Sequence, residues 1–477
     1  MPVEPPNSSE PCHRLLPGRR FWPIAVLIAS CAGLGRVLAE GPTVGASGLK
    51  PIEAADGMLL GPVIFSPSIA VTQTWDSNIF RIHEGIQLGG STVPVVADTL
   101  TTATARLAFT LPFSHSYISL VWYPGYRNYG SIDLAKTTSN ALVFEARLVL
   151  SNGSVIDFVE NAADGYLDTN DFDPGGVLTI SSTPYSRKGP ILTCDWVLDP
   201  RWGILGTLSR VSYNFQAAIN PAVLYAGAEG QARVDFYDFT TDTLQVGVYH
   251  SFRQMRIFGA FRYALTDQDR TAFNETHDIP PSLAIPYETI REGQIAVGVQ
   301  GNLTATLAGT FSVGYTTWRF KYSSADPFAG VSYSGNLIQQ FGTRTSGNLA
   351  LFRGPQQSAG DQVGYYLREE AYVNVERWLS TRFVGRIGMT LRRNTFFPTI
   401  EGSLCDNPSV AVPLACLEYQ TLDVNPVAQI EYRIKGTKVN NPLIVGLTYV
   451  SESRTSDQTL LDMNDRRITL SLSAGWF

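Results

Sequence analysis

The chain has 477 residues and a formal net charge of −6; 44% of its residues are hydrophobic and only 16% are charged. Past the N-terminal region no run approaches the roughly 20 apolar residues of a membrane-spanning helix, which excludes a helical membrane protein. The acidic balance without a basic stripe argues against nucleic acid as a partner. The low charged fraction, with 42 Gly, 21 Tyr and 24 Phe, favours a sheet whose alternate residues face lipid; a large soluble β-protein is the alternative.

The N-terminal residues predict a secretory signal. Three arginines precede the apolar run Phe21–Ile28, and Val37–Ala39 offers a small-residue cleavage site. Residues 1–39 are therefore predicted to be removed, and residues 40–60 to form a periplasmic lead-in. Lipidation at Cys31 is the alternative, which a protein held in the membrane by its own strands does not need.

From residue 61 onwards apolar residues recur at every second position, the period of a strand with two different faces. Between Leu422 and Ile434, for example, they alternate with Asp423, Asn425 and Glu431. Eighteen such segments suit tilted bilayer crossings, with sixteen strands as the alternative. The predicted strands are roughly 62–75, 101–113, 116–127, 140–150, 154–162, 188–198, 203–215, 240–251, 255–265, 291–300, 304–318, 330–340, 343–353, 361–377, 381–396, 417–435, 438–451 and 464–477.

The connections between these segments alternate in length. Short ones such as Ser114–His115 and Ser151–Gly153 contain turn-forming residues, whereas the intervening ones, such as 76–100 and 163–187, are long. Short periplasmic turns and long external loops are typical of outer-membrane barrels. Residues 61–477 are therefore predicted to form an all-β fold, a transmembrane antiparallel up-and-down β-barrel with both termini in the periplasm.

The last segment, Arg466–Phe477, is predicted to close the barrel against the first strand. Its apolar residues alternate with small polar ones, which suits a strand between lipid and a wetter interior. The apolar face ends at Trp476, so Phe477 falls on the other face.

Tryptophans at the strand ends are predicted to form two interfacial girdles. Trp75 and Trp318 end strands beside long loops, while Trp202, Trp378 and Trp476 lie at the short-turn side. Aromatic residues of a soluble core would not be sorted by the type of connection they adjoin.

The segment Pro67–Arg81, PSIAVTQTWDSNIFR, contains the pattern Trp75-Asp76-Ser77-Asn78 at the end of the first predicted strand. It resembles the opening strand of a β-barrel porin family whose genes often lie in bacterial exopolysaccharide clusters. The resemblance implies a barrel over about residues 60–477 and a link to exopolysaccharide export. It also implies outer-membrane lipids, the barrel-assembly machinery and polysaccharide as partners.

No arrangement typical of catalysis, of a cofactor or of a metal occurs in the sequence. The histidines are dispersed, and neither a nucleophile elbow nor a phosphate-binding glycine loop is present. We therefore predict no enzyme and no cofactor. A barrel-embedded hydrolase remains the third interpretation, because strands can bring together a triad that the sequence keeps apart.

Ionisable residues on the polar faces of the strands are predicted to line a lumen and to tune its selectivity. The alternative is that they pair with one another and only support the wall. The selectivity candidates are Arg147, Arg210, Arg368, Arg382, Arg386, Arg392, Arg433, Glu145, Glu370, Asp423 and Glu431.

Two further predictions concern the long loops. Asp168, Asp171 and Asp173 could fold inward and face the basic wall as a constriction, and a flexible loop is the alternative. Cys405 and Cys416 bracket a Pro-containing external segment and are predicted to form a disulfide in an oxidising compartment.

The leading prediction for function is a porin-like passive channel in the bacterial outer membrane. A non-conducting surface scaffold or glycan-binding receptor is the alternative, and a conductance measurement would separate the two.

Overall fold

The computed structural model describes residues 57–79, 81, 83, 87–88, 91–92, 94–131, 138–167, 183–216, 218–219, 233–234, 238–269, 287–322, 327–357, 363–398, 418–434, 443–458 and 461–475. The predictions for the signal at 1–39, the aspartates 168, 171 and 173, the Cys405–Cys416 disulfide and Trp476 lie outside these residues.

Within the described residues, eighteen long antiparallel strands form one closed sheet, which confirms the predicted fold class and strand count. Each strand pairs with the next in the chain, and the last pairs with the first. The strands are β1 Val63–Asp76, β2 Asp98–Phe113, β3 Ser116–Tyr129, β4 Thr138–Val149, β5 Val155–Leu167, β6 Thr183–Val197, β7 Trp202–Phe215, β8 Asp238–Phe252, β9 Met255–Asp269, β10 Tyr287–Asn302, β11 Leu307–Phe320, β12 Phe328–Gln340, β13 Thr345–Gln357, β14 Val363–Trp378, β15 Phe383–Pro398, β16 Tyr419–Ile434, β17 Leu443–Ser456 and β18 Met463–Gly475.

The two faces of this sheet differ in the way that the sequence alternation predicts. Large apolar residues such as Leu470 and Ile387 are 55% and 72% exposed on the outer face. Their neighbours one position away point inward and are mostly polar, because successive strand residues face opposite sides. A belt of exposed apolar side chains around a closed sheet is the surface that a bilayer covers. No helix among the described residues is long and apolar enough to cross a membrane.

The barrel closes between β18 and β1, as predicted for the last segment. The pairing runs from Ser68 opposite Gly475 to Asp76 opposite Arg467. Gly475 has a φ of 132°, and a Cβ atom there would lie 2.3 Å from the Cα of Ser68. Only glycine therefore fits this end of the seam without a shift of the backbone.

A short strand, Met58–Leu60, precedes the barrel and folds back on the start of β1. Met58 pairs with Phe65 and Leu60 with Val63, across a two-residue turn. Gly61 in that turn has a φ of 64°, which glycine adopts readily. The final part of the predicted lead-in is thus paired strand.

Two of the tryptophans predicted to form girdles lie on the outer face, and the prediction is wrong for two others. Trp75 and Trp202 lie on the outer face, 42% and 47% exposed. Trp318 instead points inward, opposite Glu292, and is buried among aromatic residues of the interior. Trp378 also lies on the inner face, under the guanidinium of Arg433 at 4.6 Å.

The reason for this correction is the strand period. Trp318 has the parity of Ser312 and Thr316, which are both inward, and position at a strand end does not override parity. The same rule places Trp196, 42% exposed, on the outer face near the β6–β7 turn.

Candidate functional site in the barrel lumen

The inner face of the barrel carries arginines and carboxylates in nearly equal numbers. Their positions follow from the strand registers, which assign each residue to one face. The inward ionisable residues of the strands are Asp76, Asp98, Arg106, Arg127, Glu145, Arg147, Asp157, Arg187, Asp195, Arg256, Arg262, Glu288, Glu292, Arg368, Glu370, Glu376, Arg386, Arg392, Asp423, Glu431, Arg433, Glu452, Arg454, Asp465 and Arg467.

Four of these residues form a row of alternating charge across β14–β17. Glu370, Arg392, Asp423 and Arg454 are successive cross-strand partners. Arg392 Nε lies 2.7 Å from Glu370 and Arg454 Nε lies 2.6 Å from Asp423. The Arg454 and Asp423 side chains are only 3% and 1% exposed, so each ion is stabilised by its partner rather than by water.

The row continues towards the closing seam through β17 and β18. Arg467 reaches Glu452 at 2.8 Å and Asp465 at 3.2 Å. Asp465 also accepts a hydrogen bond from the Ser77 hydroxyl at 3.1 Å, just past the end of β1. Side chains therefore connect the last strand to the first, in addition to the backbone pairing. We name the inner face of β14–β18 the charged wall.

A second cluster lies nearer the short turns of the charged wall. Arg386 is the centre of it, 2.7 Å from Glu376 and 2.5 Å from Glu431. Arg433 contacts Glu431 at 3.3 Å while its guanidinium covers the Trp378 ring. Two arginines and two carboxylates thus neutralise one another along three strands.

Similar pairs occur on β3–β9 near the short turns. Arg147 and Asp157 form an ion pair at 2.9 Å, and Tyr117 donates a hydrogen bond to Glu145 at 2.5 Å. Asp195 accepts from Arg256 at 2.6 Å and from the Tyr249 hydroxyl at 2.8 Å.

The inner face of β10–β13 is different, and we name it the neutral wall. Its inward residues are mainly Ser, Thr, Gly, Gln, Asn and Ala, and hydroxyls bond across strands. Thr316 and Ser332 are 2.7 Å apart, and Gln294 donates to both at 3.1 and 2.9 Å. The inward carboxylates here, Glu288 and Glu292, lie on β10 alone, and Glu292 pairs with Arg262 of β9.

Aromatic residues are packed inside the long-loop end of the barrel. Tyr366, Phe396 and Tyr419 stack across β14–β16 with ring centroids 4.6–5.2 Å apart and are at most 1% exposed. Tyr213 stacks on Phe239 at 4.9 Å within a second cluster. Tyr365 of β14 reaches Trp318 of β11 at 6.2 Å, so these clusters narrow the interior at that end.

Nine of the predicted selectivity residues lie on the inner wall. They are Glu145, Arg147, Arg368, Glu370, Arg386, Arg392, Asp423, Glu431 and Arg433. Their influence on ion selectivity stays a prediction, and most of them are already paired.

Two predicted lumen residues are elsewhere, which corrects the prediction. Arg210 lies on the outer face of β7, 67% exposed and 3.7 Å from Asp242. The reason is that its apolar neighbours Val211 and Tyr213 are buried inside, so Arg210, one position from Val211, faces outward. Arg382 lies in the β14–β15 turn, exposed, and donates to the Tyr432 hydroxyl at 3.4 Å.

Several inward charges were missed, although their strands were predicted. Asp157, Arg256, Arg262 and Arg467 have the parity of polar residues within predicted strands, whereas Arg454 lies three residues beyond the predicted end of its strand at 451. Extending the alternation from the clear part of each strand to its ends would have found them.

In the described part of the chain, no group of three or more His, Cys, Asp or Glu is arranged to hold a metal.

A closed barrel of eighteen strands with an apolar outer belt and an ion-paired interior defines a porin-like outer-membrane β-barrel. Residues 276–403, which include β10–β15, match the model of the family described as "Putative beta-barrel porin 2". That match bears out the family resemblance in a part of the chain that does not include Pro67–Arg81, and it shows no association with exopolysaccharide gene clusters.

Solved structures give only a distant likeness. The structure of OccK3 (OpdO) from Pseudomonas aeruginosa is 9% identical, with 87% of this chain and 96% of that chain covered and a TM-score of 0.43. The outer membrane protein OpdK from the same organism is 11% identical, with 86% and 99% covered and a TM-score of 0.43. The siderophore receptor PirA, also from Pseudomonas aeruginosa, is 9% identical, with 88% of this chain and 80% of that chain covered and a TM-score of 0.40. Scores this low carry no argument about function, and no curated protein matches the chain.

Proposed function

We propose that the protein is a passive channel for small polar solutes across the bacterial outer membrane. One observation carries the proposal: inward charges are neutralised by partners in the wall, beside a second wall of small hydroxyl and amide side chains. A lining of that kind supplies hydrogen bonds to a polar solute without a strong field of one sign. Eighteen strands enclose enough space for an aqueous passage.

Planar-bilayer recording tests the proposal directly. The purified full chain is expected to give discrete open-channel steps with weak preference between cation and anion. Liposome swelling with neutral sugars of increasing size would then give the size limit of the passage. A protein that folds, as judged by heat-dependent gel mobility, yet gives neither steps nor swelling would contradict the channel.

The second candidate is a non-conducting scaffold or glycan-binding receptor on the cell surface. The buried aromatic clusters at the long-loop end favour it, since Tyr366, Phe396 and Tyr419 fill interior space there. Under this reading the barrel is electrically silent, and soluble glycans protect the external loops from proteolysis.

The predicted constriction by Asp168, Asp171 and Asp173 belongs to the channel proposal. Replacing Asp171 and Asp173 by Asn is expected to shift the reversal potential towards anion preference. Unchanged selectivity would remove these aspartates from the conducting path.

The link to exopolysaccharide export rests on the family resemblance. If it holds, deletion of the gene lowers the amount of polysaccharide at the cell surface while the precursor accumulates inside. Unaltered surface polysaccharide in the deletion strain would separate this protein from export.

A further inference from the structure

Two arginines lie directly opposite each other on the outer face of the barrel. Arg291 of β10 and Arg319 of β11 are cross-strand partners, and both are exposed. They share the face of Ile295 and Val313, which are 67% and 40% exposed in the apolar belt. Arg319 is the penultimate residue of β11, so the pair marks the long-loop boundary of that belt.

The wall itself gives no reason for this placement. Like charges at directly opposite positions of antiparallel strands repel and destabilise the sheet. Among the described residues no carboxylate lies within ion-pair distance of either guanidinium. The acid diagonal to Arg291, Asp267, accepts a hydrogen bond from the Thr289 hydroxyl at 2.9 Å.

From the arginine pair towards the middle of the apolar belt, the outer surface first has a shallow depression and then becomes apolar. Gly293 follows in register between Tyr263 and Thr317, and a Cβ atom there would meet only the Thr317 hydroxyl at 3.3 Å. The next row contains Phe261, Ile295 and Tyr315, 47%, 67% and 53% exposed. The order along the wall is therefore two cations, a shallow depression and an apolar surface.

We propose that Arg291 and Arg319 bind the phosphate of a phosphorylated glycolipid of the outer leaflet. Guanidinium groups bind phosphate through paired hydrogen bonds, and two arginines are direct cross-strand neighbours here. The sugar of the glycolipid fits over Gly293, and its acyl chains lie against the apolar row. The proposal rests on the outer-membrane location, but not on conduction, because the pair is outside the lumen.

A neighbouring part of the same face provides the matched control. Arg353, Glu369 and Arg393 form a cross-strand row on the outer face of β13–β15. Arg353 lies 3.0 Å from Glu369, and Arg393 also pairs with Glu369. Arg393 is thus an exposed outward arginine that, unlike Arg291 and Arg319, has a carboxylate partner among the described residues.

The test measures lipid binding by the folded full chain in detergent, with native mass spectrometry as the readout. The probes are bisphosphorylated lipid A, its dephosphorylated form and phosphatidylglycerol. We expect the wild type and R393Q to bind the bisphosphorylated form alike, and R291Q/R319Q to bind it at least about tenfold more weakly. The R291K/R319K variant keeps the charge but loses paired hydrogen bonding, so it should fall between them.

Each contrary result overturns a stated part of the proposal. Equal lipid A binding by R291Q/R319Q and wild type removes the arginines from the site. Equal binding of the dephosphorylated form shows that the phosphate is not recognised. Preference for phosphatidylglycerol rejects the glycolipid as the occupant. Heat-dependent gel mobility confirms that each variant is folded before binding is compared. A barrel that binds lipid A but conducts no ions would refute the proposed channel function and leave the lipid site standing.

Discussion

The charged wall and the neutral wall are neighbouring parts of one sheet with the same strand geometry, yet they hold their polar side chains in different ways. On β14–β18 inward arginines and carboxylates occur in equal numbers, and pairs such as Arg454–Asp423 are almost inaccessible to water. On β10–β13 the contacts join hydroxyls and amides, as between Thr316 and Ser332. Loss of one partner leaves a buried charge without an ion pair in the charged wall, but only a neutral polar group without a hydrogen bond in the neutral wall. The two walls should therefore differ sharply in their tolerance of substitution.

The largest effect is expected for Arg454→Met in the charged wall. Removing the guanidinium leaves Asp423 buried without its ion-pair partner, which costs about 3–5 kcal/mol of the free energy of unfolding. Urea unfolding of the folded protein in detergent measures the loss. Adding Asp423→Asn in the same chain should restore much of the stability, and a double variant no more stable than R454M would contradict the pairing.

A smaller effect, on ions rather than on stability, is expected for Arg386→Gln. Glu376 and Glu431 would then face the lumen without their shared cation. The Coulomb energy between one uncompensated charge and an ion at contact distance in water is about 1 kcal/mol. The ratio of cation to anion permeability should therefore rise about fivefold. Bilayer reversal potentials under a salt gradient measure this ratio. Arg377→Gln is the control, since Arg377 follows Glu376 in β14 but lies on the outer face. An equal shift in both variants would exclude a lumen effect.

The neutral wall should respond least to a comparable substitution. Thr316→Val removes one hydroxyl but leaves Gln294 bonded to Ser332 at 2.9 Å. The expected cost is roughly 0.5–1.5 kcal/mol, the usual contribution of one hydrogen bond. The same urea unfolding assay applies. A loss as large as that of R454M would abolish the contrast between the walls.

The smallest effect is expected outside both walls, at the β6–β7 turn. The backbone N–H groups of Arg201 and Trp202 donate to the Asp199 carboxylate at 2.7 and 2.9 Å and lower its pKa. A lowered pKa in the folded state means that the stabilisation is present above the unfolded pKa of about 3.9. It is lost as pH falls through the folded value. Thermal midpoints measured from pH 5 downwards should converge for wild type and Asp199→Asn, and a constant gap would contradict the assignment.

The strands were predictable because alternation is a local property of the sequence. The predicted segment 417–435 and the observed Tyr419–Ile434 differ by two residues or fewer at each end. Faces were predictable only where the alternation was unambiguous. In β7 the large apolar residues near the long-loop end, Val211, Tyr213 and Phe215, lie on the inner face, so the hydrophobic pattern chose the wrong face and misplaced Arg210.

The charge pairing of the lumen was predictable only in part. Tight turns fix register, so the turn between Trp378 and Phe383 is enough to set Glu370 against Arg392. The pairing of Arg392 with Asp423 joins β15 and β16, which are separated by a long connection. The length of that connection does not determine the register of the two strands. The alternating row therefore required the three-dimensional pairing of β15 with β16.

The short strand Met58–Leu60 has a consequence for the way the last strand meets the first. It already occupies the edge of β1 at Val63–Phe65, next to the end of the β18 pairing at Ser68. If β18 slid three residues towards the start of β1, Gly475 would arrive opposite Phe65 and compete with Met58. The hairpin therefore acts as a stop that limits slippage in that direction. A slip of three residues, like any odd number, would exchange the lipid and lumen faces of β18, so such a stop protects the polarity of the wall against that slip during closure.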